Sequence, residues 1–274
     1  MGKNCYCRHV LRFTLAGYHE SLLSLAYPGD RHAYEYGKRA LKQLLTHWPW
    51  PRDQRGQIIV RSDAELGTDA NVGYILWEGF QVLMKGYSGR RTQAWVQRVA
   101  ETAWQADPQR PDRWATPAPG PLRLGRHLDA YLLRWYDAKQ QLDHATLLST
   151  LPLSVFALWN LYDGRGTTEV EIRADKSGLG LHLRRKQSLT AQEAWIVLTD
   201  IAHNLLAWLQ PWMLAGSPFE HFGPKRLVQD LFPIPGQVVF EDGCLRRVVL
   251  SQSHPYAEDI RGCLQHLLST FQLA

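Results

Sequence analysis

The chain has 274 residues, 45% of them hydrophobic and 11 of them Trp, enough to fill the core of one large domain or of a domain with an insertion. Charged residues make up 21%, a mixture of 31 basic and 26 acidic side chains, which excludes a disordered chain; the net charge of +5 permits an anionic partner without naming one.

Residues 1–16, MGKNCYCRHVLRFTLA, are short and basic. Cys5 and Cys7 are one residue apart, which is not zinc-pair spacing, and His9 is followed by no second pair of ligands. No signal peptide is visible, so a reducing cytoplasm is the expected compartment. ESLLSLAYPGD at 20–30 fits a strand closed by a Pro-Gly turn. HAYEYGKRALKQLLTHW then has a helical period, with Ala33, Tyr36, Ala40, Leu41, Leu44 and Leu45 on one side. QIIVRSDAELG is a β-branched strand whose exit carries Asp63, Thr68 can cap a helix over DANVGYILWEGF, and QVLMKGY is a further strand. Strand, helix, strand in this order predicts an α/β unit.

Five prolines between 108 and 121 predict a loop at the border of an insertion. DAYLLRWYDA fits a strand or a helix, and its aromatic content favours the strand. In YDGRGTTEVEIRADK, residues 162–176, TEVEIRAD alternates as an edge strand would, whereas Thr168 with Glu171 forms a capping-box pair that can open a helix. If the whole segment is helical, Tyr162, Arg165, Glu169, Arg173 and Lys176 fall within roughly a quarter of the circumference. Such a face suits a metal and a phosphate backbone; it also suits plain solvation. Glu171 and Asp175 lie off that face and read as surface charges.

A second capping box, Thr190 with Glu193, opens a long apolar helix to about Leu209. The run WIVLTDIAHNLLAWLQPWML is broken by Asp200, His203, Asn204 and Gln210, so it reads as a buried helix and not as a membrane span. GQVVFEDGCLRRVVL reads as a hairpin turning at Asp242-Gly243, and YAEDIRGCLQHLLSTF as a closing amphipathic helix.

The chain has no Walker phosphate loop, no G-x-S-x-G elbow and no H-E-x-x-H. Carboxylates remain. Asp63, where a strand hands over to a loop, is either a site residue or a turn cap. A strand-end Asp followed about a hundred residues later by a helical Glu suits phosphodiester cutting with two Mg2+ ions, which need several hard carboxylate oxygens. The spacing Tyr162, Arg165, Glu169, Lys176 resembles the Y-(2)-R-(3)-E-(6)-K signature of insertion-sequence DDE transposases. AYPGDRHA resembles their turn after an early strand, VRSDAELGTDAN the segment around their second catalytic Asp, and AQEAWIVLTDIAHNLLAWL the helix after the catalytic Glu. FGPKRLVQDLFPIPGQVVFEDGCLRRVVL resembles their C-terminal helix and hairpin. The likeness runs from about residue 17 to the end.

The resemblance implies an α/β, ribonuclease-H-like core, incomplete at its N-terminus. Residues 17–95 would form its first part, 96–160 a mainly β insertion, and 161–274 its second part. It implies Asp63 and Glu169 as catalytic ligands of Mg2+ or Mn2+. Arg165 and Lys176 would contact DNA phosphates and Tyr162 would position or stack on DNA; helix geometry adds Arg173. The implied partners are transposon-end DNA, a second copy or a full-length transposase, with no membrane, in a cytoplasmic, nucleoid-associated setting.

One departure matters. A DDE site needs a first Asp ahead of the PGDRH turn. This chain has none: up to residue 29 its only acid is Glu20, and Asp30 matches a turn position. The chain therefore reads as an N-terminally truncated transposase, or as the product of a split or decayed element, that binds metal weakly and is inactive or impaired alone. The rivals are a non-catalytic DNA-binding remnant that modulates full-length transposase, a stand-alone ribonuclease-H-like nuclease and a plain structural α/β domain.

Overall fold

The computed structural model of the chain describes residues 8–120, 122, 124–125, 127–164, 166–182 and 188–271. They divide into two compact units, one comprising Leu25–Gly166 with the chain up to Leu11, the other Arg12–Ser24 with Thr167–Ala274. Strands β1 (Arg8–Leu15) and β2 (Glu20–Pro28) form a two-stranded sheet.

The first unit is built on one mixed sheet. In chain order it holds α1 (Gly37–His47), β3 (Ile59–Ser62), α2 (Asp69–Trp77), β4 (Gln81–Lys85), α3 (Gly89–Val96), β5 (Gln105–Ala106), β6 (Arg113–Pro117), β7 (Asp129–Tyr136), β8 (Leu142–Ser149) and α4 (Val155–Asp163). The strand order is β3-β4-β8-β7-β6-β5. β3 and β4 are parallel, as a strand–helix–strand unit requires, and the remaining pairs are antiparallel. Thr68 caps α2 by accepting a hydrogen bond from the Asn71 N–H.

β4 is apolar without alternation. Val82, Leu83 and Met84 are fully buried, the pattern of a strand covered on both faces. Leu83, Ala115, Leu133 and Leu147 pack against Leu158, Trp159 and Tyr162 of α4. On β8 the neighbouring Thr146 points to the opposite face and meets Thr92 of α3, Oγ1 to Oγ1, at 2.8 Å. The proline-rich stretch expected as a loop contains β6, with Pro117 at its last position, where a missing N–H costs the ladder least. DAYLLRWYDA is strand β7. The expected β-rich stretch 96–160 holds β5 to β8, which extend the sheet begun by β3 and β4.

The second unit holds α5 (Gly166–Gly178, its first residue still in the first unit), α6 (Leu189–Leu209), α7 (Pro224–Arg226), the hairpin β9 (Gly236–Glu241) and β10 (Cys244–Leu250), and α8 (Ala257–Thr270). α6 gives way to a wide π-type turn, Gln210–Leu214, because Pro211 has no N–H to continue the ladder. Leu206, Met213, Leu214, Phe219, Phe222, Leu227, Leu231, Ile260 and Cys263 form the core. The hairpin turns at Asp242 and Gly243, both at positive φ (53° and 75°), the Asp-Gly geometry read from the sequence.

Two expected helix starts differ. α6 is capped by Ser188, whose hydroxyl accepts from the Ala191 N–H, so Thr190 lies inside the first turn. α5 opens at Gly166, so Thr168 is not its cap. The ambiguous TEVEIRAD is thus helical: its alternation was a coincidence of composition, and Arg12 and His203 hold its buried face.

Candidate functional site

Asp63 stands at the exit of β3. Its backbone is extended, and its Oδ1 accepts from the N–H groups of Glu65 (3.0 Å) and Leu66 (3.4 Å), capping a short turn over Ala64–Leu66. The side chain is otherwise at the surface. Gly67 ends that turn against the exit of β4: a Cβ there would lie 1.8 Å from the Lys85 carbonyl oxygen. The Gly67 carbonyl in turn accepts from Tyr87 N–H at 3.0 Å. A second acid, Glu65, accepts from the Ala33 N–H at 2.8 Å and lies 3.8 Å from His32 Nδ1. The Tyr27 phenol is raised above its ordinary value by burial first, then by the charges of Glu65 and Asp63. Sequence reading passed over Glu65 and Tyr27, although both stand inside the segments that resemble the family.

The proposed single helical face does not extend to Tyr162. α4 ends at Asp163 and α5 begins at Gly166, so the expected five-residue stripe is broken at Gly164. Tyr162 is 3% exposed in the first unit's core, with Lys85 Nζ 5.3 Å from its ring centroid and 4.7 Å from that of Trp135. Arg165 lies outside the described residues. Glu169, in the first turn of α5, and Arg173 and Lys176 are exposed at i, i+4 and i+7. Three of the five expected residues therefore share one helix face.

The expectation that Glu171 and Asp175 are surface charges is overturned. Glu171 pairs with His19 Nδ1 at 2.5 Å, and its side chain is 16% exposed. Asp175 is fully buried. Its Oδ2 accepts from Arg12 Nη1, itself fully buried, while Arg12 Nη2 reaches Asp200 Oδ1 at 2.7 Å and Arg12 Nε donates to Ser24. Asp175 Oδ1 is 3.0 Å from His203 Nδ1, and His203 Nε2 is 2.7 Å from the His19 carbonyl oxygen. Asn204 adds a pair of bonds to the Ser21 backbone. Asp200, His203 and Asn204 thus tie α6 to β1, β2, the turn between them and α5. Their polarity was legible in the sequence; their partners on β1, β2 and the turn, about 180 residues away, were not.

His203 has an acceptor at each ring nitrogen, which the doubly protonated imidazolium satisfies. Burial pushes its pKa down, but the hydrogen bond and charge of Asp175 and the His19 carbonyl outweigh that, with Arg12 opposing, and the net shift is upward. A raised folded pKa makes a stabilising contribution that is complete below the unfolded value of about 6.5 and is lost as pH rises through the folded value. Thermal melts of the wild type should therefore show stability falling on the alkaline side of about pH 6.5, and His203→Gln should flatten that dependence. Parallel profiles for the two proteins would contradict it.

A divalent ion of the Mg2+ type needs several oxygen ligands at one point. Among the described residues no group of three or more His, Cys, Asp or Glu could hold a metal ion. Among the described residues the donor set does not make a complete metal centre.

The family model described as Transposase DDE domain group 1 matches residues 4–272. The chain belongs to that family. The match spans both compact units, so the β3–α2–β4 segment with Asp63 and the α5 segment with Glu169 both lie within the DDE transposase domain. A search of curated proteins finds no match. The mixed α/β architecture is compatible with such a domain, and among the described residues of this transposase no helix is long and apolar enough to cross a membrane.

Proposed function

We propose that this transposase domain carries the second and third acidic positions of a DNA-cutting centre at Asp63 and Glu169. In this reading the core is ribonuclease-H-like, with 96–160 a mainly β insertion and the signature of the Y-(2)-R-(3)-E-(6)-K type. The observation that supports it best is the family match over residues 4–272, within which Asp63 stands at the exit of a parallel strand. In this reading Asp63 and Glu169 are ligands of Mg2+ or Mn2+, and Arg165, Arg173 and Lys176 bind DNA phosphates. Tyr162, 3% exposed and packed beside Lys85, does not present its ring for stacking on DNA.

In this reading residues 1–29, whose only acid is Glu20, do not supply the first acidic position. The chain alone then grips metal weakly, as a divalent ion deprived of one of three carboxylates would. In a plasmid-nicking assay with element-end DNA and Mg2+ or Mn2+, the wild type should cut little above background. Strong metal-dependent nicking that Asp63→Ala abolishes would overturn the impairment and leave the ligand assignment standing. The missing Asp also favours a second reading, a non-catalytic remnant that modulates full-length transposase. Inhibition of the intact enzyme by the Asp63→Ala variant in the same assay would select it.

A further inference from the structure

The turn between β1 and β2 has Gly17 and His19 at positive φ (90° and 58°) and leaves Tyr18 exposed between them. α6 reaches this turn and the start of β2 through its side chains. Asn204 accepts from the Ser21 N–H at 2.7 Å and donates to the Ser21 carbonyl at 2.9 Å. Trp208 Nε1 donates to the Glu20 carboxylate at 2.6 Å. Nearest the tip, His203 Nε2 lies 2.7 Å from the His19 carbonyl oxygen. The other ring nitrogen of His203 faces Asp175 of α5 at 3.0 Å. His203 is 6% exposed, so water does not readily replace a partner that it loses.

An imidazolium donates from both nitrogens; a neutral imidazole donates from one and presents a lone pair at the other. Both neighbours of His203 are acceptors, so the loss of one proton turns one of the two contacts from attraction into repulsion. Charge decides which. Asp175 is a buried carboxylate, and a hydrogen bond to an ion is about twice as strong as one to a neutral carbonyl. The remaining proton stays on Nδ1, and the Nε2 lone pair is left against the His19 oxygen. We propose that His203 is a proton-operated latch: protonated, it fastens the tip of the β1–β2 turn to α6; deprotonated, it releases the tip while keeping its hold on α5. The Asn204 and Trp208 bonds stay in place and form the hinge. The charges around the ring set when the latch opens. Burial opposes the proton; Asp175 and the His19 carbonyl favour it more strongly; Arg12 of β1, shared between Asp175 and Asp200 of α6, opposes it. From the turn and β2 the facing groups are His19, whose own ring pairs with Glu171 of α5, and Glu20, held by Trp208. The tip is therefore fastened at and below about pH 6.5 and comes free as pH rises through the raised value of His203.

The test is hydrogen exchange of the full chain, read by mass spectrometry from about pH 5.5 to about pH 8.5, with each rate divided by that of an unstructured peptide at the same pH. Labelling for seconds to minutes reads local opening and not global unfolding. Protection of the peptide spanning residues 15–22 should fall by about tenfold or more across this range, while that of Gly166–Gly178 and of Ala257–Thr270 changes less than about threefold. His203→Gln, whose amide does not titrate, should remove the pH dependence. His19→Asn should keep it: asparagine tolerates positive φ, the backbone carbonyl at position 19 remains, and only the exposed pair with Glu171 is lost. If His203→Gln fails to fold, the contrast between the turn and α5 in the wild type decides alone. Protection of the turn that ignores pH overturns the proposal. So does α5 loosening as much as the turn, a pH dependence that survives in His203→Gln, or one that disappears in His19→Asn.

Discussion

Replacing Arg12 by methionine is expected to lower unfolding free energy by about 3–5 kcal/mol, the usual cost of removing one partner from a buried ion pair. The guanidinium is fully buried and answers Asp175, Asp200 and Ser24 at once. Without it, among the described residues, this network leaves His203 to Asp175 and the Ser24 hydroxyl to Asp200. The cost is that of stranding two carboxylates, not the net worth of the cluster. Simultaneous replacement of Arg12, Asp175, Asp200 and His203 by apolar residues of similar volume should therefore recover much of the loss. Arg31→Met is the matched control: its pair with Glu35 is solvent-exposed, and its loss should cost under about 1 kcal/mol. Urea unfolding of the wild type and the three variants decides the matter. A loss for Arg12→Met no larger than the control's would mean the network is not closed as described.

Gly67→Ala should cost about 2–3 kcal/mol, at the upper end of overpacking effects. The reason is geometric. The added carbon would sit 1.8 Å from a backbone carbonyl oxygen, that of Lys85, and 2.9 Å from its carbon. No rotamer change can relieve a clash with main chain, so the Asp63–Gly67 turn or the exit of β4 must move. Gly73→Ala, in the middle of α2 with nothing within 4 Å of its Cβ, should instead be neutral or stabilise by up to about 1 kcal/mol, because alanine loses less freedom in a helix. Paired thermal melts provide the comparison; equal effects of the two substitutions would refute the tight packing at Gly67. Because the turn carries Asp63, the same shift displaces the carboxylate proposed to bind metal.

The sequence by itself determined the elements whose causes are local. Thr68 caps α2, Asp242-Gly243 turns the hairpin, and Asp63 falls at the exit of β3, because caps, turns and strand ends are set by residues within a few positions of one another. It also pointed to the DDE transposase family, whose model matches residues 4–272. Local signals misplaced what depends on distant partners. TEVEIRAD alternates like a strand and is a helix, because Asp175 on that helix meets Arg12 and His203. Asp175 reads as a surface charge and is fully buried, because only folding brings a cation to it from more than a hundred residues away. The stripe of Tyr162, Arg165, Glu169, Arg173 and Lys176 presumes one unbroken helix; the chain breaks at Gly164 and the Tyr162 ring turns into the core beside Lys85. Spacing along the chain reports which residues can share a face. Which of those faces meets solvent, and which is closed by a counter-charge or a packed ring, is settled by the tertiary structure, since desolvation depends on every neighbour in space and not on the neighbours in sequence.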